Sequence, residues 1–186
     1  MALRNTESEY GKAAKWLHWL VAVGIVVLLW LGLEQAGMER GPARTALRET
    51  HGSIAVLVFV LMTVRLLWRF SSEIPADPPG MPAWQRVSAR LTHWAIYLAV
   101  FVQLVSGAMS FATAGRPVPF FGLFSFSLPV AQSDTAHEFW EEVHETTWIV
   151  LVSLLGLHIL AALYHHFVRK DEVLRRMTVG TARGDR

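Results

Sequence analysis

Four apolar runs, each long enough to cross a lipid bilayer as a helix, constrain this 186-residue chain more than any other feature. They cover residues 16–33, 52–68, 91–112 and 147–168. A hydrocarbon core about 30 Å thick needs about 20 mostly apolar residues, at about 1.5 Å of helix rise per residue. We therefore predict an all-α fold, an integral membrane four-helix bundle, in a single membrane domain over 1–186. The expected transmembrane helices lie at about 12–35, 51–70, 89–112 and 140–168.

The composition supports a membrane protein and narrows the chemistry. Hydrophobic residues make up 53% of the chain and charged residues only 17%, against about 25% charged residues in a typical soluble domain. With no cysteine, the chain can form no disulfide, Cys-ligated zinc site, iron–sulfur cluster or covalent haem attachment. A redox centre would have to be held non-covalently by His or Met, and eight histidines are present.

The distribution of Lys and Arg predicts the orientation. Thirteen of these residues flank one side of the four apolar runs, and four flank the other side. The thirteen are Arg4, Lys12, Lys15, Arg65, Arg69, Arg86, Arg90, Arg169, Lys170, Arg175, Arg176, Arg183 and Arg186. The four are Arg40, Arg44, Arg48 and Arg116. By the positive-inside rule both termini, including a tail over 169–186, are expected in the cytoplasm. The net charge of +2 is attributed to these basic ends and not to nucleic-acid binding.

Four histidines fall at depths that suggest two stacked cofactors. His144 and His158 are fourteen residues apart on the fourth helix, so they share a face and lie roughly 21 Å apart. The estimated depths of His18 and His51 differ by about 23 Å. An inward shift of the fourth helix by about five residues brings His18 level with His158 and His51 level with His144. His93 lies at nearly the depth of His18, and this arithmetic does not separate the two.

Paired intramembrane histidines are typical of haem ligation. Polar residues inside a membrane are costly and usually functional, and neutral imidazole binds haem iron through one nitrogen. Ligation by two histidines leaves no open iron position, so it favours electron transfer over oxygen binding.

Four arginines are candidates for partners of haem propionates. Arg65 and Arg69 close the second helix, and Arg69 shares the face of His51 at the opposite end because eighteen residues are five helical turns. Arg44 and Arg48 are placed to serve the outer cofactor in the same way. The alternative for all four is ordinary snorkelling toward the membrane surface.

With these histidines and arginines, the sequence resembles the bacterial cytochrome b561 family of di-haem, four-helix membrane cytochromes. The resemblance rests on an ordered set of motifs that covers nearly the whole chain. They are Trp16-Leu-His18-Trp19, His51-Gly52-Ser53, Arg65-Leu-Leu-Trp-Arg69, His93-Trp-Ala-Ile-Tyr97, His144-Glu145-Thr146 and Gly156-Leu157-His158 followed by His165-His166. The resemblance implies a multi-pass protein of the bacterial inner (plasma) membrane.

The resemblance also implies the cofactors and partners. His18 and His158 would ligate the cytoplasmic haem b, and His51 and His144 the outer haem b. His165 matches a position near a quinone site. The implied activity is an oxidoreductase that takes electrons from an outer-face donor, superoxide, and passes them to ubiquinone. The resemblance selects His18 over His93 as the ligand, and it implies no role for His93, His137 or His166.

Two other functions are consistent with the same sequence. The chain could be the membrane-anchor cytochrome b subunit of a larger dehydrogenase or hydrogenase, which should co-purify with a redox partner protein. A histidine-lined metal or proton transporter is the third alternative. It should purify without colour.

Overall fold

A computed structural model describes residues 2–178, and long helices make up most of them. In chain order the elements are α1 (Lys12–Ala36), α2 (Pro42–Ser71), α3 (Ala83–Thr113), β1 (Val118–Phe120), β2 (Phe124–Phe126), α4 (Asp134–Tyr164), a π-helical turn (His165–Arg169) and α5 (Val173–Met177). Arg183 and Arg186 of the basic tail lie outside the described residues.

The predicted four-helix membrane bundle is confirmed. Within residues 2–178, four helices are long and apolar enough to cross a membrane: α1, α2, α3, and α4 with the π-helical turn. In the most apolar stretch of the fourth helix, only 6% of the residues are buried inside the molecule. Apolar side chains that the protein does not cover need an apolar solvent, and the lipid bilayer supplies it.

The helices extend beyond the apolar runs. α2 begins at Pro42, about nine residues before the predicted membrane segment. Proline is favoured in the first turn of a helix, and no helix breaker separates Pro42 from that segment. α4 begins at Asp134, where the Ser133 hydroxyl accepts a hydrogen bond from the Ala136 N–H at 3.3 Å. These additional turns carry Arg44 and Arg48 on a continuous helix with His51.

The core lies at mid-depth between the helices. α1 packs against α2, and α3 packs against α4. Val58 of α2 and Val100 of α3 are each only 1% exposed. α1 and α2 approach closely at Gly24, where an added Cβ would lie 2.5 Å from Cγ2 of Val58.

The bundle has two distinct ends. We call the end that holds the starts of α1 and α3 and the finishes of α2 and α4 the terminal end. Segments from three parts of the chain meet there: the Ala76 N–H donates to the Glu7 carbonyl at 2.8 Å, and the Trp19 indole N–H donates to the Met177 carbonyl at 2.7 Å.

The opposite end, the hairpin end, is covered by β1 and β2. These strands pair antiparallel, with Val118 opposite Phe126. The Phe121 N–H between them donates to the Ser53 hydroxyl of α2 at 2.9 Å. The loop between α3 and α4 therefore contains a hairpin fixed to the helix that carries His51.

Candidate cofactor sites at two histidine pairs

At the terminal end, His18 of α1 faces His158 of α4. Their ring centroids are 6.2 Å apart, with an angle of 66° between the ring planes. α1 and α4 each contribute one imidazole, and the two residues are separated by most of the chain. The structure thus places His158 opposite His18, one of the two histidines that the depth arithmetic puts at this level.

At the hairpin end, His51 of α2 faces His144 of α4 in the same way. Their ring centroids are 6.4 Å apart, with an interplanar angle of 68°. The Nδ1 atom of His51 is buried without a hydrogen-bond partner in the described chain. α4 therefore contributes one ring to each pair, as its fourteen-residue histidine spacing predicts.

Both pairs have the spacing of two axial ligands on one iron. Metal–imidazole bonds of about 2.0 Å, plus roughly 1.1 Å from each nitrogen to its ring centre, place two opposed ring centroids about 6.2 Å apart. Among the described residues, no group of three or more His, Asp or Glu side chains could hold a metal ion. A metal with two protein ligands needs its others from a cofactor, as in bis-His haem.

His93 of α3 is a third ring at the terminal end. Its centroid lies 5.3 Å from that of His158, about edge-on at 68°. This separation is shorter than the 6.2 Å between His18 and His158, and shorter than two opposed iron–nitrogen bonds require. His158 thus lies beside two histidine rings. Of these two, only His18 has the centroid separation expected for two ligands of one iron.

Arg65 and Arg69 lie beside the terminal-end pair. The Arg65 guanidinium donates to the Ala14 carbonyl at 3.3 Å and lies 6.0 Å from the centre of the Tyr97 ring. Arg69 lies 5.5 Å from the Trp94 ring, and its Nε is buried without a partner in the described chain. An unpaired buried guanidinium N–H is available to an anionic group.

Tyr10 is a residue of this region that sequence reasoning missed. Burial raises the pKa of the Tyr10 hydroxyl, while the positive charges of Arg69, Arg65 and Arg176 oppose the shift. Tyr10 therefore adds a hydroxyl to the arginine group at the terminal end. No periodicity marks it, because it precedes α1.

The arginines at the hairpin end form a cluster larger than the sequence suggests. Arg48 interacts electrostatically with Arg116 and Arg44, with Arg40 more weakly, and with the carboxylate of Glu141. Arg116 follows α3 and is far from Arg48 in sequence, so only the fold joins it to the cluster.

His165 lies in the π-helical turn, with a partner that the sequence did not reveal. Its Nδ1 is 2.5 Å from Oδ2 of Asp171, and their side chains are only 12% and 17% exposed. Its neighbour His166 packs its ring against Phe167, with centroids 4.7 Å apart.

His137 is held by two neighbours at the hairpin end. Its Nδ1 lies 3.3 Å from the Ser110 hydroxyl, and its Nε2 lies 3.3 Å from a carboxylate oxygen of Glu141. The ring is thus an ordered link between α3 and the first turns of α4, more constrained than a solvated histidine at a helix start.

Comparison with known proteins decides the family. The model of the prokaryotic cytochrome b561 family matches residues 9–180. The chain belongs to this family. It is accordingly a multi-pass protein of the bacterial inner membrane, in a family of haem b proteins that carry out membrane electron transfer. The family suggested by the sequence motifs is confirmed.

Three curated relatives cover most of the chain. Cytochrome b561 homolog 2 of Escherichia coli (strain K12) is 31% identical over 95% of this chain and 95% of its own length. Cytochrome b561 homolog 1 of the same organism is 30% identical over 91% of this chain and 97% of its own length. The probable superoxide oxidase CybB of Yersinia pestis is 29% identical over 87% of this chain and 90% of its own length.

Proposed function

We propose that this chain holds two haem b groups and moves electrons through them from superoxide, at the outer face, to ubiquinone. The observation that carries the proposal is the pair of facing imidazoles at each end of the bundle, with centroids 6.2 and 6.4 Å apart. When bound, each haem would supply a one-electron Fe(III)/Fe(II) couple, and two histidine ligands would leave no iron position for oxygen.

The terminal-end haem is held by His18 and His158. Arg65 and Arg69 lie within reach of this site and are its propionate partners, since charge-assisted hydrogen bonds stabilise carboxylates in a low-dielectric region. His93 contacts His158 from the side, so it lines the site without ligating the iron.

The hairpin-end haem is held by His51 and His144. Arg48 and Arg44 stand on α2 before His51, in the helical turns that project from the membrane, and are its propionate partners. The hairpin packs against α2 at the residue after His51, where an added Cβ at Gly52 would be 3.1 Å from Cγ of Pro119. The hairpin therefore restricts which donors reach the haem edge.

The terminal end faces the cytoplasm, with both chain termini. The support is the excess of Lys and Arg at this end, in the residues that flank α1, the α2–α3 connection and the finish of α4. Electrons that enter at the hairpin end then travel inward across the bilayer.

Ubiquinone is reduced at the terminal end, beside His165. The Asp171 carboxylate accepts the Nδ1 proton of this imidazole, which fixes the tautomer and the orientation of the ring. Once Nε2 also carries a proton, it can donate a hydrogen bond to a quinone carbonyl and transfer that proton as the carbonyl is reduced.

Superoxide is supported as the donor by charge and by one relative. Arg40, Arg44, Arg48 and Arg116 form a positive cluster at the hairpin end, which would attract a small anion. The name of the Yersinia pestis relative supplies the second support. Two superoxide ions give up one electron each and leave as dioxygen, while one ubiquinone takes both electrons and two protons to form ubiquinol.

The test is a purified preparation from haem-replete cells, analysed by pyridine haemochrome spectra and a reduced-minus-oxidised spectrum. We expect two b haems per chain and ubiquinol formation from superoxide without another protein. A colourless, haem-free protein would overturn the proposal in favour of a transporter. A dependence on a co-purifying dehydrogenase or hydrogenase would replace it with the membrane-anchor function.

A further inference from the structure

One turn of α3 holds the imidazole of His144. The Nδ1 atom of this ring lies 3.0 Å from the main-chain oxygen of Gln103 and 3.1 Å from the hydroxyl oxygen of Ser106. The Ser106 hydroxyl also donates to the Gln103 carbonyl, at 3.0 Å. Two groups of α3, themselves joined by a hydrogen bond, thus converge at one nitrogen of a ring that comes from another helix.

These contacts determine which nitrogen carries the proton. A main-chain carbonyl only accepts hydrogen bonds, so Nδ1 of His144 is the protonated nitrogen and Nε2 keeps its lone pair. The contact on the other side of the ring supports this assignment of the proton, because the Gln103 side-chain amide N–H donates to Nε2 at 2.9 Å. Nε2 is therefore the nitrogen whose lone pair a metal could use, once the Gln103 side-chain amide turns away from it.

The same turn of α3 leaves space for the ring. A Cβ added at Gly107 would lie 3.0 Å from Cε1 and 3.3 Å from Nδ1 of His144, closer than real Cβ contacts normally are. Ser106 is 0% exposed, so its hydroxyl exchanges no hydrogen bond with bulk water and must find protein partners. Ser106 and Gly107 thus both help to determine the position of the His144 ring.

His51, the opposing ring, has no such support. Its Nδ1 is buried and makes no hydrogen bond to the described residues. The two imidazoles of the hairpin-end pair therefore differ, with one fixed by α3 and the other held by packing.

We infer that Ser106 and Gly107 are positioning residues that orient His144 as an iron ligand and lower the reduction potential of the hairpin-end haem. This inference rests on the haem ligation in the proposed function. A ring N–H that donates to an acceptor makes the other nitrogen a stronger electron donor. Stronger donation favours ferric iron and thus lowers the reduction potential.

The first test is Ser106→Ala, with Ser153→Ala as the matched control. Among the described residues, the Ser153 hydroxyl bonds the Ile149 carbonyl of its own helix, at 2.8 Å. Ser106→Ala should keep two haems and favour the reduced form of the hairpin-end haem about threefold, or about 28 mV at about 59 mV per tenfold for one electron. The low-spin ferric EPR signal of that haem should also shift, since its ring plane is less restrained.

The second test is Gly107→Ala. The added methyl group should displace the His144 ring and reduce the content of the hairpin-end haem, while the terminal-end haem remains. The retained haem also shows that the variant has folded. Full retention of two haems with unchanged potentials in Gly107→Ala would contradict the role of this glycine.

The outcomes separate this inference from the proposed function. The hairpin-end haem is identified as the one lost in His51→Ala and in His144→Ala. If each of those variants keeps two haems, the ligand assignment itself is wrong. If each loses one haem but Ser106→Ala matches Ser153→Ala in potential and EPR spectrum, the positioning role of Ser106 is overturned.

Discussion

The imidazole of His165 and the carboxylate of Asp171 are 2.5 Å apart, although five residues separate them in sequence. The π-helical turn widens the chain after α4, and Lys170 adopts a left-handed conformation with φ of 54°. The chain turns back at this point, so that the Asp171 N–H donates to the His165 carbonyl at 3.1 Å. Asp171 also accepts the Val173 N–H at 3.1 Å, which starts α5. π-helical turns of this kind occur frequently at functional sites.

Asp171→Asn should slow quinone reduction and leave both haems in place. The neutral amide is a weaker acceptor of the Nδ1 proton than the carboxylate, so the tautomer and ring orientation that direct Nε2 toward the quinone are held less firmly. We expect electron transfer from pre-reduced haem to a short-chain ubiquinone to fall at least tenfold, within the range of general acid–base effects. Single-turnover haem re-oxidation measures this rate.

The control for Asp171→Asn is Glu172→Gln. Glu172 is the next acidic residue along the chain, and its carboxylate binds Arg175 at 3.3 Å instead of a histidine. Equal re-oxidation rates in the two variants would remove Asp171 from the quinone site.

His18→Ala and His93→Ala should differ in haem content. The spacing of 6.2 Å between His18 and His158 matches opposed iron ligands, whereas the 5.3 Å between His93 and His158 does not. We therefore expect His18→Ala to lose one haem. His93→Ala should keep two haems and show a modest change in the reduction potential of the terminal-end haem. Haem quantification per chain shows which of the two histidines is the ligand. The reverse result would make His93 the ligand.

Arg69→Gln should lower the reduction potential of the terminal-end haem. A nearby positive charge disfavours ferric iron, which carries one more positive charge than ferrous iron, so its removal stabilises the oxidised form. We expect roughly a tenfold shift in the ferric/ferrous equilibrium, or about 59 mV for one electron. Redox titration of both haems measures it, with the exposed Arg86→Gln as the control. A potential equal to that of the control would exclude Arg69 as a propionate partner.

The parts of the molecule that follow helical periodicity could be predicted from the sequence. His144 and His158 are on one helix, so their fourteen-residue spacing fixes both direction and separation. The apolar runs, which must match the bilayer thickness, give the approximate depths of His18 and His51.

The remaining parts depend on contacts that no local pattern encodes. Arg116 joins Arg48 only because α2 and the chain after α3 meet at the hairpin end. Tyr10 lies among arginines from α2 and the C-terminal segment. Asp171 reaches His165 through a π-helical turn and a left-handed residue, which propensities do not predict. These irregular segments cluster at the proposed sites.

Ser53→Ala should loosen the hairpin without removing a haem. The buried Ser53 hydroxyl accepts the Phe121 N–H at 2.9 Å and donates to the Glu49 carbonyl at 2.7 Å. Loss of the acceptor leaves a main-chain N–H unpaired, at a cost of about 1–3 kcal/mol. Amide hydrogen exchange over residues 118–126 should accelerate, while exchange in α1 stays constant. Unchanged exchange in the hairpin would show that Ser53 does not hold it.

Replacement of Arg44 and Arg48 together by glutamine should slow haem reduction by superoxide. The positive cluster raises the local concentration of a small anion, an effect of about 10-fold to 1,000-fold on association rates that salt weakens. We expect at least a tenfold decrease at low ionic strength and a smaller difference at high salt. Superoxide generated by xanthine oxidase beside purified, quinone-loaded protein provides the assay, with superoxide dismutase added as a check.

A neutral reductant separates steering of superoxide from a change in the haem itself. If the arginines act on the anionic donor, the double variant should react with the neutral reductant at the rate of the unmodified protein. Equal slowing of both reactions would mean that Arg44 and Arg48 act through the haem propionates and its reduction potential. Reduction by superoxide that is no faster in the unmodified protein than in His51→Ala would exclude superoxide as the donor, and the hairpin-end haem would then serve another reductant.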